Sequence, residues 1–312
     1  MKNILVTDSL FIFEEHVEML EEAGFSVERL DAPQATEDEL IEALKGKHGY
    51  ILGGIEKVTD RVVESAKDLE VVTFTGADWR NFIPGHALAI EKGITITNCP
   101  GANSNAVAEY TLSLMLAMTR EIFDLGRTST KTFKTTRSLK GSSVGIIGMG
   151  HIGEKVARML KVFGVGDIYY FSRTRKEDLE RELGLQYMPM EELVQKSDIV
   201  TLHASKEIGD KYFNGKLLSR MKEDSLLVNC SFESAFDFED LLPYLESGKI
   251  RCAHDGEATD ERFNKLPLYN WFNSNAHTAY NTHEANKVAS DMAVQSIINV
   301  LGGGKDKYKV NR

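Results

Sequence analysis

Three glycines are spaced to hold a phosphate. Gly148-Met149-Gly150-His151-Ile152-Gly153 follows an apolar run, Ser143 to Ile147, and precedes a helical pattern from Glu154 to Phe163. In a strand–turn–helix the first glycine allows a tight bend and the second lets the main chain approach a pyrophosphate. The third lets the helix pack close to the strand. The free N–H groups at the helix start then face the phosphates. The chemistry this implies is dinucleotide binding at Gly148, Gly150, His151, Ile152 and Gly153. The end of the following strand selects the dinucleotide. It reads Tyr170-Phe171-Ser172-Arg173-Thr174-Arg175-Lys176, with no carboxylate to bond the ribose hydroxyls. Ser172, Arg173, Thr174 and Arg175 suit a 2′-phosphate, so the pattern predicts NADP(H) in preference to NAD(H). Cations are disfavoured at a helix N-terminus, which argues against an incidental basic helix start.

The elements that must position this turn alternate along the chain. Asn3–Thr7, Gly49–Leu52, Val71–Thr75 and Ile94–Thr97 read as strands, with helices at Phe11–Ala23 and Glu37–Leu44. A break at Asn98-Cys99-Pro100-Gly101 precedes a long apolar helix, Ala106–Met118. Phe123–Lys140 is polar and aperiodic, a surface connection or partner-facing segment. From Ser143 a second α/β unit begins. Its further strands are Ile168–Phe171, Asp198–Leu202, Ser225–Asn229 and Arg251–His254. Helices at Lys176–Leu183, Met190–Lys196, Lys216–Ser219 and Asp237–Ser247 lie between. An amphipathic helix, Thr282–Leu301, ends at three glycines. Strands alternating with helices predict doubly wound parallel sheets.

The chain has 312 residues, of which 42% are hydrophobic and 27% charged, enough for two domains with real cores. A net charge of −10 argues against a general nucleic-acid binder. Cys99, Cys230 and Cys252 form no CxxC pair, so neither a zinc site nor a disulfide framework is expected, and reduced thiols fit the cytoplasm. The apolar start is cut off by Asp8, too early for a signal peptide, and no long uncharged run suggests a bilayer span. No His, Cys or Asp cluster has metal-ligand spacing.

The order of several motifs resembles the D-isomer-specific 2-hydroxyacid dehydrogenases, most closely their glyoxylate/hydroxypyruvate reductase-like branch because of Ser172-Arg173-Thr174. Asn98-Cys99-Pro100-Gly101-Ala102-Asn103 with Val107-Ala108-Glu109 resembles NxPGxN…VAE. Gly148–Gly153 resembles GxGxIG, and Ser197-Asp198-Ile199-Val200 with Leu202-His203 resembles SDxVxLH. Asn275-Ala276-His277 with Thr282-His283-Glu284-Ala285 resembles TPHxxxxTxEA, and Val310-Asn311 the terminal VN. The resemblance implies a Rossmann-type doubly wound parallel sheet at 101–281. It also implies a flavodoxin-like substrate domain from 1–100 with 282–312, and an active site in the cleft between them that excludes water on closing. His203, Ala204, Cys230 and Ser231 would join the cofactor site, and Asp255 would bond the nicotinamide carboxamide.

The same resemblance implies three catalytic side chains. His277 stands at the histidine position, able to give or take a proton near neutrality. Asp260 stands where a glutamate is expected, one methylene shorter, with Glu257 a substitute. The arginine that anchors a substrate carboxylate is absent. VNxxRGxxVD reads here Val228-Asn229-Cys230-Ser231-Phe232-Glu233-Ser234-Ala235-Phe236-Asp237, so Phe232 holds its place. Losing one such donor typically costs about 2.7–4 kcal/mol of transition-state stabilisation. Gly76 and Ala77 match amides that cradle a carboxylate, and Arg80 could supply a displaced cation. Ser205 replaces a proline, and the stretch between Arg120 and Ser143, a region through which relatives partly dimerise, is shorter than theirs and lacks their GxW. The expectation is an NADP(H)-dependent oxidoreductase on a small carbonyl or hydroxy compound, with altered substrate, forming a homodimer. The alternatives are a non-catalytic dinucleotide-binding sensor or scaffold, and an ordinary 2-hydroxyacid dehydrogenase with a displaced arginine.

Overall fold

A computed structural model describes residues 1–7, 12–32, 34–131, 133–257, 260–276 and 278–310. His277, Asn311, Asp8 and the Phe11 start of the first expected helix lie outside the described residues. The elements run β1 (Asn3–Thr7), α1 (Glu14–Glu22), β2 (Ser26–Leu30), α2 (Glu37–Ala43), β3 (Gly49–Leu52), α3 (Asp60–Ser65), β4 (Val71–Phe74), α4 (His86–Glu91), β5 (Thr95–Asn98), α5 (Ser104–Thr119) and α6 (Ile122–Leu125). They continue as β6 (Val144–Ile147), α7 (His151–Val162), β7 (Ile168–Phe171), α8 (Glu177–Leu183), β8 (Gln186–Tyr187), α9 (Met190–Lys196), β9 (Ile199–Leu202), α10 (Gly215–Arg220), β10 (Ser225–Asn229), α11 (Phe238–Glu246), β11 (Ile250–His254), β12 (Trp271–Asn273) and α12 (His283–Leu301). The chain divides into two compact units, Met1–Asn103 with Thr282–Arg312, and Ser104–Asn281.

The first unit holds a five-stranded sheet ordered β2-β1-β3-β4-β5, parallel throughout. The buried strands Gly49–Leu52 and Val71–Phe74 read as continuous apolar runs because helices cover both faces. From α12, Ala293, Val294 and Ile297 pack on Ile4, Val6 and Ile51. β2 escapes a reading by pattern because Ser-Val-Glu-Arg-Leu is only half-buried at the sheet edge. The strand expected at Ile94 begins at Thr95 instead, since the Ile94 amide donates to the Ala89 carbonyl (2.9 Å) and closes the end of α4.

The second unit holds a seven-stranded parallel sheet ordered β12-β11-β10-β9-β6-β7-β8. The order reverses between β6 and β9, the crevice where open α/β sheets take ligands. One face is packed by Val156, Ala157 and Leu160 of α7 and by Leu114, Met115 and Met118 of α5. The other is packed by Leu193 and Val194 of α9, Leu217 and Leu218 of α10, and Leu241 and Leu245 of α11. Each fully buried side chain of this size contributes about 1.5–3 kcal/mol. β8 and β12 are too short to carry a sequence signal. Between Phe123 and Lys140 the described residues hold no element longer than the single turn of α6.

Where α7 crosses β6 the approach is limited by main chain. A Cβ at Gly153 would lie 2.1 Å from the Gly148 carbonyl oxygen. Gly153→Ala is therefore expected to lower the unfolding free energy by about 2 kcal/mol or more, the range of overpacking in a tight core. A urea titration checks this; an unchanged midpoint would show that the helix can shift without cost.

Candidate functional site

The turn after β6 is assembled by backbone. Gly148 has φ +100°, a left-handed conformation that favours glycine. Its amide donates to Phe171 O at 2.8 Å, and a Cβ there would come within 2.4 Å of Ala204 N and the His203 carbonyl carbon. The ends of β6, β7 and β9 thus meet at one point. Gly150, directly before α7, differs: a Cβ there would meet nothing within 4 Å. No side chain caps α7, and its first internal bond runs from Glu154 N to Gly150 O (3.0 Å). The leading amides of the helix therefore face open space, which suits an anion. A cavity of about 550 Å³ opens there, walled by Gly150 and His151 on one side and by Arg175, Lys176, Glu177 and Asp178 on the other.

His203 follows β9 beside this turn. Its Nε2 lies 2.9 Å from Thr201 Oγ1, and its Nδ1 is buried without a hydrogen-bond partner. Burial lowers its pKa to about 3 and keeps the ring neutral. An orphaned buried nitrogen, an open cradle and uncapped helix amides at one sheet edge fit a dinucleotide.

Several side chains of the basic stretch after β7 are engaged in local bonds. Ser172 Oγ donates to Thr174 O at 2.5 Å, and Arg173 Nη1 to Glu207 Oε2 at 2.6 Å. Arg175 makes a bidentate pair with Glu180, at 2.8 and 2.7 Å. Tyr170 Oη donates to the same carboxylate at 2.6 Å and accepts from Lys176 N at 2.7 Å. Arg175, then Tyr170, hold Glu180 down at about 2. The pattern did not single out Tyr170, Lys176 or Glu180, because their partnership depends on how the first turn of α8 folds back on β7.

At the ends of β10 and β11 stand residues that the resemblance expects at or beside the catalytic positions. Asn229 Oδ1 accepts from Ser231 N and Oγ at 3.0 and 2.7 Å, and its Nδ2 donates to Phe232 O at 3.1 Å. This fixes the main chain at 232, where the side chain is a half-buried ring packed on Tyr212, centroids 5.9 Å apart. Glu233 Oε1 accepts from Glu257 N at 2.7 Å. Burial raises the Cys230 thiol to about 12, which excludes a thiolate near neutrality. Asp255, 5% exposed, spends both oxygens on the segment around position 277: it accepts from Ser274 Oγ (2.8 Å), Thr278 N (3.3 Å) and Ala279 N (2.9 Å). Asp260 is held by Arg262 Nε at 2.9 and 3.1 Å and lies below the usual carboxylate range because of that bond. Its expected partner His277 lies outside the described residues.

In the first unit, Gly76 and Ala77 follow β4. Their carbonyls accept from Cys99 N (3.0 Å) and Asn98 Nδ2 (2.8 Å), which leaves the loop anchored from its carbonyl side. Arg80 lies over the Trp79 ring at 4.8 Å. Unmarked by any motif, Glu56 is 3% exposed and accepts from Tyr50 Oη at 2.7 Å and from Thr7.

Two outcomes are expected. Gly150→Ala leaves the melting temperature unchanged, since the site is open, but weakens binding of the nicotinamide dinucleotide by roughly tenfold or more by filling the space over the turn; equal affinity would show that its phosphates bind elsewhere. The folded His203 ring resists protonation, so the unfolded chain takes up the extra proton as pH falls below about 6.5. Stability from this group is complete above that pH and declines towards pH 3, by up to about 1.4 kcal/mol per unit. Urea midpoints between pH 7 and 5 should fall more steeply in the wild type than in His203→Gln.

The NAD binding domain of the D-isomer specific 2-hydroxyacid dehydrogenases matches residues 112–276. The D-3-phosphoglycerate dehydrogenase of Methanocaldococcus jannaschii is 33% identical over 100% of this chain, which spans 60% of that protein's length. Among solved structures, a protein of Thermus thermophilus superposes with a TM-score of 0.86 at 25% identity, covering 99% of both chains. A cofactor (NAD+)-bound 3-phosphoglycerate dehydrogenase of Entamoeba histolytica shares the fold, with a TM-score of 0.82 at 22% identity over 100% of this chain and 99% of that one. With the glycine turn, the switch point and the two parallel sheets, these matches make the chain a member of the D-isomer-specific 2-hydroxyacid dehydrogenase family of nicotinamide-dependent oxidoreductases.

Proposed function

We propose that this chain is an NADP(H)-dependent oxidoreductase whose substrate is a small carbonyl or hydroxy compound lacking the usual carboxylate anchor. The observation that carries this is the edge at 232–233. A main chain held by Asn229 presents a phenyl ring and then a carboxylate, where the family pattern sets an arginine. A phenyl ring donates no hydrogen bond, and Glu233 repels an incoming carboxylate.

Bound at the glycine turn, NADP(H) would supply or accept the hydride. The chain's own part is to hold the phosphates on the α7 amides and to move one proton at the substrate oxygen through His277. Asp260 is the carboxylate that the family pattern sets beside it, and it must share its charge with Arg262. Asp255, through Ser274, Thr278 and Ala279, anchors the chain on both sides of position 277. It retains at most part of its lone-pair capacity for a carboxamide. Gly76, Ala77 and Arg80 remain the substrate-side candidates of the first unit. Buried, unpaired cysteines support a reducing compartment such as the cytoplasm. Exposed Phe133 and Ile122, in the stretch through which relatives partly dimerise, support a homodimer.

A second reading, a non-catalytic dinucleotide-binding sensor, draws on Phe232 together with the engagement of Asp260 by Arg262. NADPH oxidation with glyoxylate, hydroxypyruvate, pyruvate, phenylpyruvate and uncharged aldehydes and ketones separates the two. The enzyme reading expects turnover of an uncharged carbonyl, abolished in His277→Ala, and about 10²–10³-fold weaker turnover of glyoxylate and hydroxypyruvate. Fast reduction of glyoxylate would return the chain to ordinary 2-hydroxyacid chemistry, with Arg80→Ala the next variant. NADPH binding without turnover of any carbonyl would favour the sensor.

A further inference from the structure

Two aromatic rings meet where the family pattern sets an arginine. Phe232 packs on Tyr212 with centroids 5.9 Å apart and planes inclined by 45°, and both rings rest on the core cluster that includes Leu202, Leu227 and Phe236. Main chain holds Tyr212 there. Lys211 N donates to Ser234 O at 2.6 Å and Phe213 N to Ala235 O at 3.0 Å, so residues 211–213 run bonded along the loop that carries Phe232 and Glu233. Ser234 Oγ donates to Asp210, and Lys211 Nζ to Asp237 Oδ2 at 2.6 Å. Lys211 has φ +53°, a left-handed conformation that a lysine adopts only at a cost. Between an exposed Lys211 and a fully buried Phe213, that backbone leaves Tyr212 against Phe232.

The hydroxyl at the tip of this ring is the anomaly. Tyr212 Oη is covered from solvent and has no hydrogen-bond partner among the described residues. A buried phenol normally finds one, and an unmet hydroxyl costs stability that a bare ring would not. Tyr50 and Tyr170, both fully buried, do have partners in Glu56 and Glu180. Burial pushes the Tyr212 phenol well above its usual range, so it stays a neutral O–H donor and does not become a phenolate. A neutral donor suits an uncharged carbonyl oxygen, whereas a guanidinium suits a carboxylate. Tyr212 and Phe232 are each only half-buried, so a change of side-chain torsion is enough to bring the hydroxyl to a ligand.

We infer that Tyr212 donates its hydroxyl to the carbonyl oxygen of the substrate and stabilises the charge that develops there. This rests on the reading above, an uncharged carbonyl reduced beside Phe232, and names the group that receives its oxygen. In reduction a hydride from NADPH forms the new C–H bond, and the π pair of the carbonyl moves to the oxygen. His277 supplies the proton that completes the alcohol. Tyr212 keeps its own proton throughout, and its hydrogen bond strengthens as the oxygen gains charge.

Tyr212→Phe removes the oxygen and keeps the ring. In the full-length protein its urea midpoint should equal or exceed that of the wild type, since an unmet hydroxyl is gone, and its NADPH dissociation constant should stay within about threefold. With the uncharged carbonyl that the wild type reduces fastest, kcat/KM should fall by about tenfold or more. In the complex with NADP+, where no hydride is available, the dissociation constant of the same carbonyl, read by thermal shift, should rise by about threefold or more. A smaller change in either quantity, a lowered urea midpoint or a greater loss of NADPH affinity would overturn the inference and leave the reading above standing. Wild-type protein that turns over no uncharged carbonyl would remove that reading, and this inference with it.

Discussion

The contact between α7 and the carbonyl of Gly148 governs the second unit. Only a residue without a Cβ lets the helix come this close to the end of β6. That approach points the helix amides at the open space over Gly150 and sets the turn against His203 and Ala204 at the end of β9. Because β6 and β9 are neighbours at the reversal of strand order, the crevice, the uncapped helix and the basic end of β7 converge without any side chain being stretched to reach the others.

Around that scaffold, charge is handled locally. The chain is acidic overall, yet Arg175 and Lys176 stand at the cavity beside α7. The arginines nearby are each matched to a carboxylate: Arg173 to Glu207, Arg175 to Glu180, Arg158 to Glu154 and Glu182. Such pairs contribute little to stability when exposed, but they hold side chains in defined orientations. Local pairing recurs elsewhere in the second unit. Arg262 takes the carboxylate of Asp260, and the segment around position 277 takes both oxygens of Asp255. The edge at Phe232 and Glu233 is apolar and acidic, while the start of α7 carries no side-chain cap and leaves its amides open to an anion.

Much of this was legible in the residues. The glycine spacing, the absence of a carboxylate at the end of β7 and the phenylalanine at position 232 are local facts of the chain, as are the apolar runs of β3, β4, β6 and β10. Buried parallel strands announce themselves because both faces must be apolar. The edge strands β2, β8 and β12 did not, since half-exposed or two-residue segments lack that constraint. Nor did the grip of Asp255 on Ser274, Thr278 and Ala279, which joins residues about twenty positions apart.

The sequence by itself determined that a glycine turn follows β6, that cations follow β7, and that a phenylalanine stands at position 232. Residue identity and short spacing suffice for those statements, because sterics and charge act within a few residues. Only the tertiary structure decided which cation stands at the cavity. Arg173 and Arg175 are two residues apart and chemically identical. What separates them is that β7 and α8 fold back so that Tyr170 and Glu180 capture one guanidinium beside the helix amides, while Glu207 draws the other away.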